Sequence, residues 1–127
     1  MSRFEQLEVW KRSVEYAGRL MGLAEGLPQR YQFSLGEQLR RAGLSIGANI
    51  AEGSGRGNGR EAGRFYRIAR GSIYEVVSLL EVMRRQGFVE EKVHQLLYGQ
   101  ADEIARMLTG LMRRNSRAGR EGKEQVQ

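Results

Sequence analysis

Apolar residues recur at intervals of three and four along four segments of this chain, and this spacing constrains the fold more than any other feature. Residues so spaced lie on one side of an α-helix, so each segment predicts an amphipathic helix with one buried face. The predicted helices span about residues 4–25, 34–52, 60–85 and 90–114. Their predicted buried residues are, in order, Leu7, Trp10, Val14, Ala17, Met21 and Ala24; Leu39, Ala42, Ile46 and Ile50; Ala62, Phe65, Ala69, Ile73, Val76, Leu80 and Met83; and Val93, Leu97, Ala101, Ile104, Leu108 and Leu111. The sequence therefore predicts an all-α protein.

Residues that end or begin helices separate these segments. Pro28 forces Leu27 out of helical geometry, so the first helix is predicted to end at Gly26. Ser34 is followed by Glu37 three residues later, which matches a capping box and predicts the start of the second helix. The connections between helices are therefore expected to be short.

Two stretches carry no apolar periodicity. The first, residues 53–61, is rich in glycine, but it lacks the Gly-Lys-Ser/Thr ending of a phosphate-binding loop and follows a helix instead of a strand. We interpret it as a flexible connection. The second, residues 116–127, predicts a disordered basic tail that follows a single helical-bundle domain over residues 1–115.

The composition argues against several classes of function. No apolar run in the 127 residues approaches the length of a membrane span, and the N-terminus lacks the apolar core of a signal peptide, so we expect a cytoplasmic protein. With no cysteine and one histidine, we expect no metal site and no cofactor. The carboxylate pairs at 90–91 and 102–103 are adjacent in sequence and point to different sides of a helix. We therefore predict that the protein is not an enzyme.

Positive charge is concentrated in one part of the chain. The net charge is +6, and seven arginines lie between residues 40 and 70 against two glutamates. Five of them surround the start of the third helix, where the helix dipole already disfavours cations: Arg56, Arg60, Arg64, Arg67 and Arg70. This concentration predicts binding to a polyanion, with nucleic acid the first candidate. The alternative is that carboxylates on other helices, Glu52 and Glu75 among them, pair with these arginines.

The second predicted helix carries polar side chains among small residues. Arg41, Ser45 and Glu52 lie on one stripe of an isolated helix, with Asn49 beside it. The neighbouring alanines and glycines allow another backbone to approach closely, so these polar groups are expected to be partly buried. Because buried polar groups need partners, the stripe predicts specific hydrogen bonds between helices.

Several short motifs together resemble those of one bacterial family. They are LEVW at residues 7–10, QLRRA at 38–42, SI at 45–46, NIAEG at 49–53 and IARGSIYE at 68–75. These motifs are similar to those of the four-helix bundle proteins encoded in intervening sequences of the 23S ribosomal RNA gene. The same family includes the accessory variability determinant proteins of diversity-generating retroelements. The resemblance covers about residues 4–114, and Gly47 stands where members commonly have proline.

The resemblance implies an up-down antiparallel four-helix bundle that assembles into a homo-oligomeric ring, typically a homopentamer. It also implies that a set of motif residues belongs largely to packing and assembly: Arg41, Asn49, Glu52, Arg70, Ser72 and Glu75. For the retroelement members it implies binding to a reverse transcriptase and affinity for nucleic acid through a basic surface. We therefore expect a non-enzymatic ring that binds RNA or DNA, a reverse transcriptase, or both. The alternative is a purely structural oligomer with no nucleic-acid role.

Overall fold

The computed structural model describes residues 7–56 and 59–126, with side chains described as far as residue 114. Within these ranges it contains four α-helices and no strand: α1 (Glu8–Glu25), α2 (Glu37–Arg56), α3 (Gly59–Arg85) and α4 (Glu91–Val126). Consecutive helices pack side by side in antiparallel directions, and α4 also contacts α1. This arrangement is an up-and-down four-helix bundle. The predicted helical residues 4–6 and the glycine-rich residues 57–58 lie outside the described residues.

Most of the predicted core residues are buried. All four predicted positions of α2 lie in the core, and α3 and α4 contribute Ala62, Ala69, Ile73, Val76, Leu80, Met83, Leu97, Ala101, Ile104 and Leu108. Each large aliphatic side chain among them contributes roughly 1.5–3 kcal/mol through burial. The three-and-four spacing therefore identifies the buried faces of α2, α3 and α4 correctly along most of their length.

The buried face of α1 differs from the prediction. Val9, Tyr16 and Leu20 lie in the core, whereas Val14 is 49% exposed and Met21 is 43% exposed. The α1 sequence has apolar residues on two adjoining sides, so its periodicity alone does not show which side faces the other helices. Packing against α2 and α4 selects the side that also contains Ser13, which is fully buried and donates a hydrogen bond to the Trp10 carbonyl (2.7 Å).

Two smaller differences occur on α3 and α4. Phe65 is only half-buried, and its neighbour Tyr66 lies in the core instead, with its hydroxyl 3.1 Å from Ser54 Oγ. Val93 is exposed near the start of α4. Both positions lie near helix ends, where fewer neighbouring helices are available to cover a side chain.

The connection between α1 and α2 is helical, and the predicted capping box is wrong. A 3₁₀ turn (Gln29–Tyr31) and a π-helical turn (Gln32–Gly36) lead directly into α2. Ser34 therefore lies inside a helical turn, where its hydroxyl donates to the Tyr31 carbonyl (3.4 Å). Because the π turn already supplies helical backbone before Glu37, α2 needs no side-chain cap at its start.

Gln32 and Arg40 hold this connection together. The Gln32 amide donates to three carbonyls at the end of α1, those of Ala24 (3.0 Å), Glu25 (3.2 Å) and Leu27 (2.8 Å). Arg40 in turn donates to Gln32 Oε1 (3.2 Å) and to the Gln32 carbonyl (2.7 Å). These bonds satisfy carbonyls that a helix end otherwise leaves without partners. Arg40 is therefore a structural arginine.

Glycines in α2 permit close contact with the helices on both sides. A methyl group at Gly43 would lie 2.9 Å from Leu20 Cδ1 on α1, and one at Gly53 would lie 2.7 Å from Tyr66 Cε1 on α3. Gly47 faces Ser13 in the same way, at 3.0 Å, and α2 continues through it without a break. The helix-propensity cost of these glycines, about 1 kcal/mol each, is therefore offset by packing.

The turn between α3 and α4 is stabilised by a glycine and an ionic cluster. Gly87 adopts a φ of 77°, a left-handed conformation that favours glycine. Before it, Glu81 accepts hydrogen bonds from Arg84 (2.6 Å) and Arg85 (3.0 Å), which lower the pKa of its carboxyl group to about 2. His94 on α4 lies 3.4 Å from the same carboxylate, so the cluster joins the two helices.

The end of α4 also differs from the prediction. We predicted that the helix ends near Arg114 and that residues 116–127 form a disordered tail, but α4 continues to Val126. The predicted end rested on the loss of apolar periodicity, which reports burial and not backbone conformation. The segment contains no proline, and arginine, alanine, glutamate and lysine favour helix. Residue 127 lies outside the described residues.

Replacing Gly53 tests the contact between α2 and α3. We expect Gly53→Ala to lower the free energy of unfolding by about 1–3 kcal/mol, because the added methyl group overpacks against the Tyr66 ring. The control is Gly71→Ala in α3, where an added methyl group meets nothing within 4 Å. It should raise stability by up to about 1 kcal/mol. Urea unfolding at one protein concentration measures the stability of both variants. Equal effects of the two substitutions would contradict the proposed close contact at Gly53.

Replacing Tyr16 tests the contact between α1 and α4. The Tyr16 hydroxyl is buried and donates to the Leu97 carbonyl (3.0 Å), and burial raises its pKa above the ordinary value of 10.0. Above about pH 10 the unfolded chain loses this proton while the folded chain keeps it, so stability falls as pH rises. We expect Tyr16→Phe to lower the free energy of unfolding by about 1 kcal/mol at pH 7. The variant should also lose less stability than the unaltered protein as the pH rises above about 10. Urea unfolding between pH 7 and pH 11 measures the free energy of unfolding of both proteins. A parallel decrease in the two proteins would contradict this account.

Candidate nucleic-acid interface

The arginines at the start of α3 lie on the outside of the bundle. Arg60, Arg64 and Arg67 follow one another at intervals of four and three, so they share one side of the helix, and all three are exposed. None of them lies within ion-pair distance of a carboxylate in the described part of the chain. We call these three residues the arginine face. No carboxylate among the described side chains neutralises their charges.

The other two predicted binding residues have protein partners. Arg56 lies 3.4 Å from both Glu52 and Glu61, so its charge is partly compensated. Arg70 is half-buried and donates to Thr109 Oγ1 on α4 (3.0 Å). The five arginines that the sequence groups together thus divide into three without an ion-pair partner among the described residues and two with ionic or hydrogen-bond partners.

Phe65 supports two of these arginines. The guanidinium of Arg64 lies 5.5 Å from the centre of the Phe65 ring, and that of Arg56 lies 5.1 Å from it. Cation–π contacts of this kind hold a guanidinium without neutralising its charge. The half-buried Phe65 thereby positions positive charge at the end of the bundle.

The packing of α4 brings two further arginines to the same end. Thr109 lies beside Arg70, and because α3 and α4 are antiparallel, the next turn of α4 passes beside the start of α3. That turn carries Arg113 and Arg114, which are exposed and have no ion-pair partner among the described residues. The sequence showed their charge, but only the register of α3 and α4 places Arg113 at the end of the bundle where α3 begins. Arg114 lines a groove with Leu7 and Glu8 at the start of α1.

The electrostatic environment at this end is unfavourable without an anion. A helix N-terminus carries partial positive charge, and the first turn of α3 contains one acidic residue, Glu61, which already lies near Arg56. The three charges of the arginine face therefore add to a positive potential that no described carboxylate offsets. Backbone phosphates are anions suited to such a surface.

The polar residues of the predicted packing motif lie between α2 and α3. Ser45 Oγ and Ser72 Oγ form a hydrogen bond of 2.9 Å, and Asn49 donates to both the carbonyl (2.9 Å) and the hydroxyl (3.0 Å) of Ser45. Arg41 lies 3.7 Å from Glu75. The predicted hydrogen bonding between helices is therefore present at the two serines. Glu52 instead pairs within α2, with Arg56.

An apolar groove runs along the outer side of α1 and α2. It has a volume of about 440 Å³ and is lined by Trp10, Val14, Met21 and Leu44, together with glycines and alanines of both helices. Leu44 is 54% exposed. Four residues of the predicted α1 core stripe thus line this groove: Trp10, Val14, Ala17 and Met21.

Among the described residues no group of three or more histidine, cysteine or carboxylate side chains is arranged to hold a metal ion. Across the same residues, no helix combines the length and apolar character that a membrane crossing requires.

The fold and this surface define a small helical bundle with a cationic end. The chain belongs to the 23S rRNA-intervening sequence protein family, whose model matches residues 5–110. Its structure is similar to a crystal structure from Bacteroides thetaiotaomicron of a protein with unknown function from the S23 ribosomal protein family. The two share 26% identity with a TM-score of 0.76, over 82% of this chain and 97% of the other. The comparison with curated proteins gave no match.

Proposed function

We propose that this protein is a non-enzymatic, ring-forming helical bundle that binds nucleic acid through the arginine face. The observation that carries the proposal is the exposure of Arg60, Arg64 and Arg67 without carboxylate partners among the described residues. Side chains that only stabilised the protomer would be expected to have such partners. Phosphate groups would neutralise these charges and also interact favourably with the positive end of α3.

The expected mode of binding is contact with the phosphate backbone. The arginine face extends from Arg60 to Arg67 of α3, about 10 Å along the helix axis. Arginines on the outside of a bundle can reach phosphates without entering a groove, and phosphate contacts position a protein without reading sequence. The proposal therefore predicts steep dependence on salt and weak dependence on sequence.

Assembly would multiply these contacts. We propose that the apolar groove of α1 and α2 is covered by a neighbouring copy of the chain, because Val14, Met21 and Leu44 leave an apolar surface in contact with water in the isolated protomer. In a ring, each protomer would present its own arginine face. Binding of several faces to one nucleic acid would then raise the apparent affinity through avidity.

The purely structural alternative assigns a different role to the same residues. It requires the arginine face to pair with carboxylates of a neighbouring protomer. Exposed carboxylates that have no ion-pair partner among the described residues exist for this purpose, for example Glu37 and Glu90. Under that alternative, replacing the three arginines would weaken assembly, and the unaltered protein would not bind nucleic acid.

The first test measures RNA binding by a triple variant, Arg60→Gln, Arg64→Gln and Arg67→Gln, over a salt series from about 50 to 200 mM. We expect the variant to fold, because exposed unpaired side chains contribute little to stability. Its affinity for a structured RNA should fall at least tenfold at low salt. The slope of log K against log salt should become shallower by about 2–3, since each lost phosphate contact contributes about 0.7–0.9.

The matched control removes the same number of charges elsewhere: Arg19→Gln, Arg85→Gln and Arg106→Gln. Each of these arginines is paired with a carboxylate four residues away on its own helix. The control should therefore change the salt slope much less. Equal losses in the two variants would show that only net charge matters. Absence of binding by the unaltered protein at low salt would oppose the proposal and favour a protein partner such as a reverse transcriptase.

The second test introduces a charge into the apolar groove. Val14→Glu should lower the mass measured by light scattering from that of an oligomer to the 14.4 kDa protomer, because a carboxylate would be buried without a partner at the interface. Helical circular dichroism should be retained, since Val14 is exposed in the protomer. Arg19→Gln changes the net charge equally on another side of α1 and should leave the oligomer intact. If light scattering gives the mass of a monomer for the unaltered protein, the proposed assembly is wrong.

A further inference from the structure

Two tyrosines differ from the others in their environment. Tyr16, Tyr31 and Tyr66 pack against the interior of the bundle. Tyr74 and Tyr98 are instead 58% and 53% exposed, and neither hydroxyl has a hydrogen-bond partner among the described residues. Exposing two large rings to water is costly unless the rings have a partner.

Both exposed tyrosines line one hollow between α3 and α4. Its volume is about 100 Å³, and its apolar lining is formed by Ile73, Val77, Ala101 and Ala105. Asp102 lies at the rim, but its carboxylate pairs with Arg106 at 3.1 Å, so its negative charge is compensated. On the far side, the Tyr98 ring is stacked near His94, with ring centres 6.4 Å apart. We call this site the tyrosine hollow.

Tyr74 of the tyrosine hollow lies on the same side of α3 as the arginine face. Tyr74 follows Arg67 by seven residues, or two helical turns, so both lie on the same side of α3 about 10 Å apart along its axis. Arg70, fixed by its bond to Thr109, lies between them. A strand whose phosphates contact the arginine face would therefore bring its next bases to the hollow.

We propose that the tyrosine hollow receives unpaired bases of a single-stranded nucleic acid whose phosphates lie on the arginine face. This inference rests on the proposed function and specifies its ligand. A tyrosine ring offers a flat apolar surface on which any base can stack. The bases of a duplex are already stacked and paired, so a duplex could use only the arginines. Single strands are therefore the preferred ligand class.

The test compares three probes of about twelve nucleotides: an oligouridylate, an oligodeoxythymidylate, and a mixed-sequence duplex. Each single strand carries a fluorescent 2-aminopurine near its centre, which is quenched when it stacks. We expect the unaltered protein to bind the single strands about tenfold more tightly than the duplex and to quench the probe. The two single strands distinguish RNA from DNA as the source of the unpaired bases.

The variants separate stacking from charge. The double variant Tyr74→Ala with Tyr98→Ala should lose about tenfold in single-strand affinity for each ring, lose the quenching, and keep the salt slope. Tyr74→Phe with Tyr98→Phe keeps both aromatic faces and should bind within about twofold of the unaltered protein. Because both positions are exposed, folding should be intact by circular dichroism.

Three outcomes would overturn the inference in distinguishable ways. Undiminished single-strand binding by the alanine variant, with weakened binding by the arginine-face variant, would exclude the tyrosine hollow and leave the proposed function standing. Equal affinity of the unaltered protein for duplex and single strands would exclude the preference for unpaired bases. Absence of binding to all three probes at low salt would remove the proposed function itself, and with it this inference.

Discussion

The close approach of α2 to both of its neighbours is the constraint on which the rest of the bundle depends. Leu20 of α1 packs against Gly43, and the Tyr66 ring of α3 packs against Gly53. Both contacts are so close that a side chain on either glycine would collide with the neighbour. With Tyr66 fixed in the core, the opposite side of α3 must face solvent. The exposure of Arg60, Arg64 and Arg67 is therefore a consequence of how α2 and α3 pack.

Polar contacts fix the register of the same helices. The bond between Ser45 and Ser72 aligns α2 with α3, and the bond between Arg70 and Thr109 aligns α3 with α4. The latter also sets the turn of α4 that contains Arg113 beside the start of α3. Such hydrogen bonds contribute only about 1 kcal/mol each, but leaving their groups buried and unpaired would cost more. They therefore specify the alignment more than they stabilise it.

Two of the errors of prediction share a physical cause. Apolar spacing identifies the apolar side of a helix, but it does not show which part of that side the other helices cover. Val14 and Met21 were assigned to the core of α1, and they line an outer groove instead. Likewise, the end of the apolar pattern near Arg114 was taken as the end of α4, although helical backbone persists where burial stops. The capping box at Ser34 failed because a π-helical turn supplies the start of α2.

The sequence by itself determined the number of helices, most of the core of α2, α3 and α4, the family, and the concentration of arginines. These follow from local periodicity, from short motifs and from charge, all of which can be read along the chain. Only the tertiary structure decided which arginines have partners. Arg70 donates a hydrogen bond to Thr109, Arg56 pairs with Glu61, and the arginine face pairs with no carboxylate in the described part of the chain. It also brought Tyr74 and Tyr98 to one hollow. Contacts between residues far apart in sequence depend on helix rotation and register, which packing sets and local pattern does not encode.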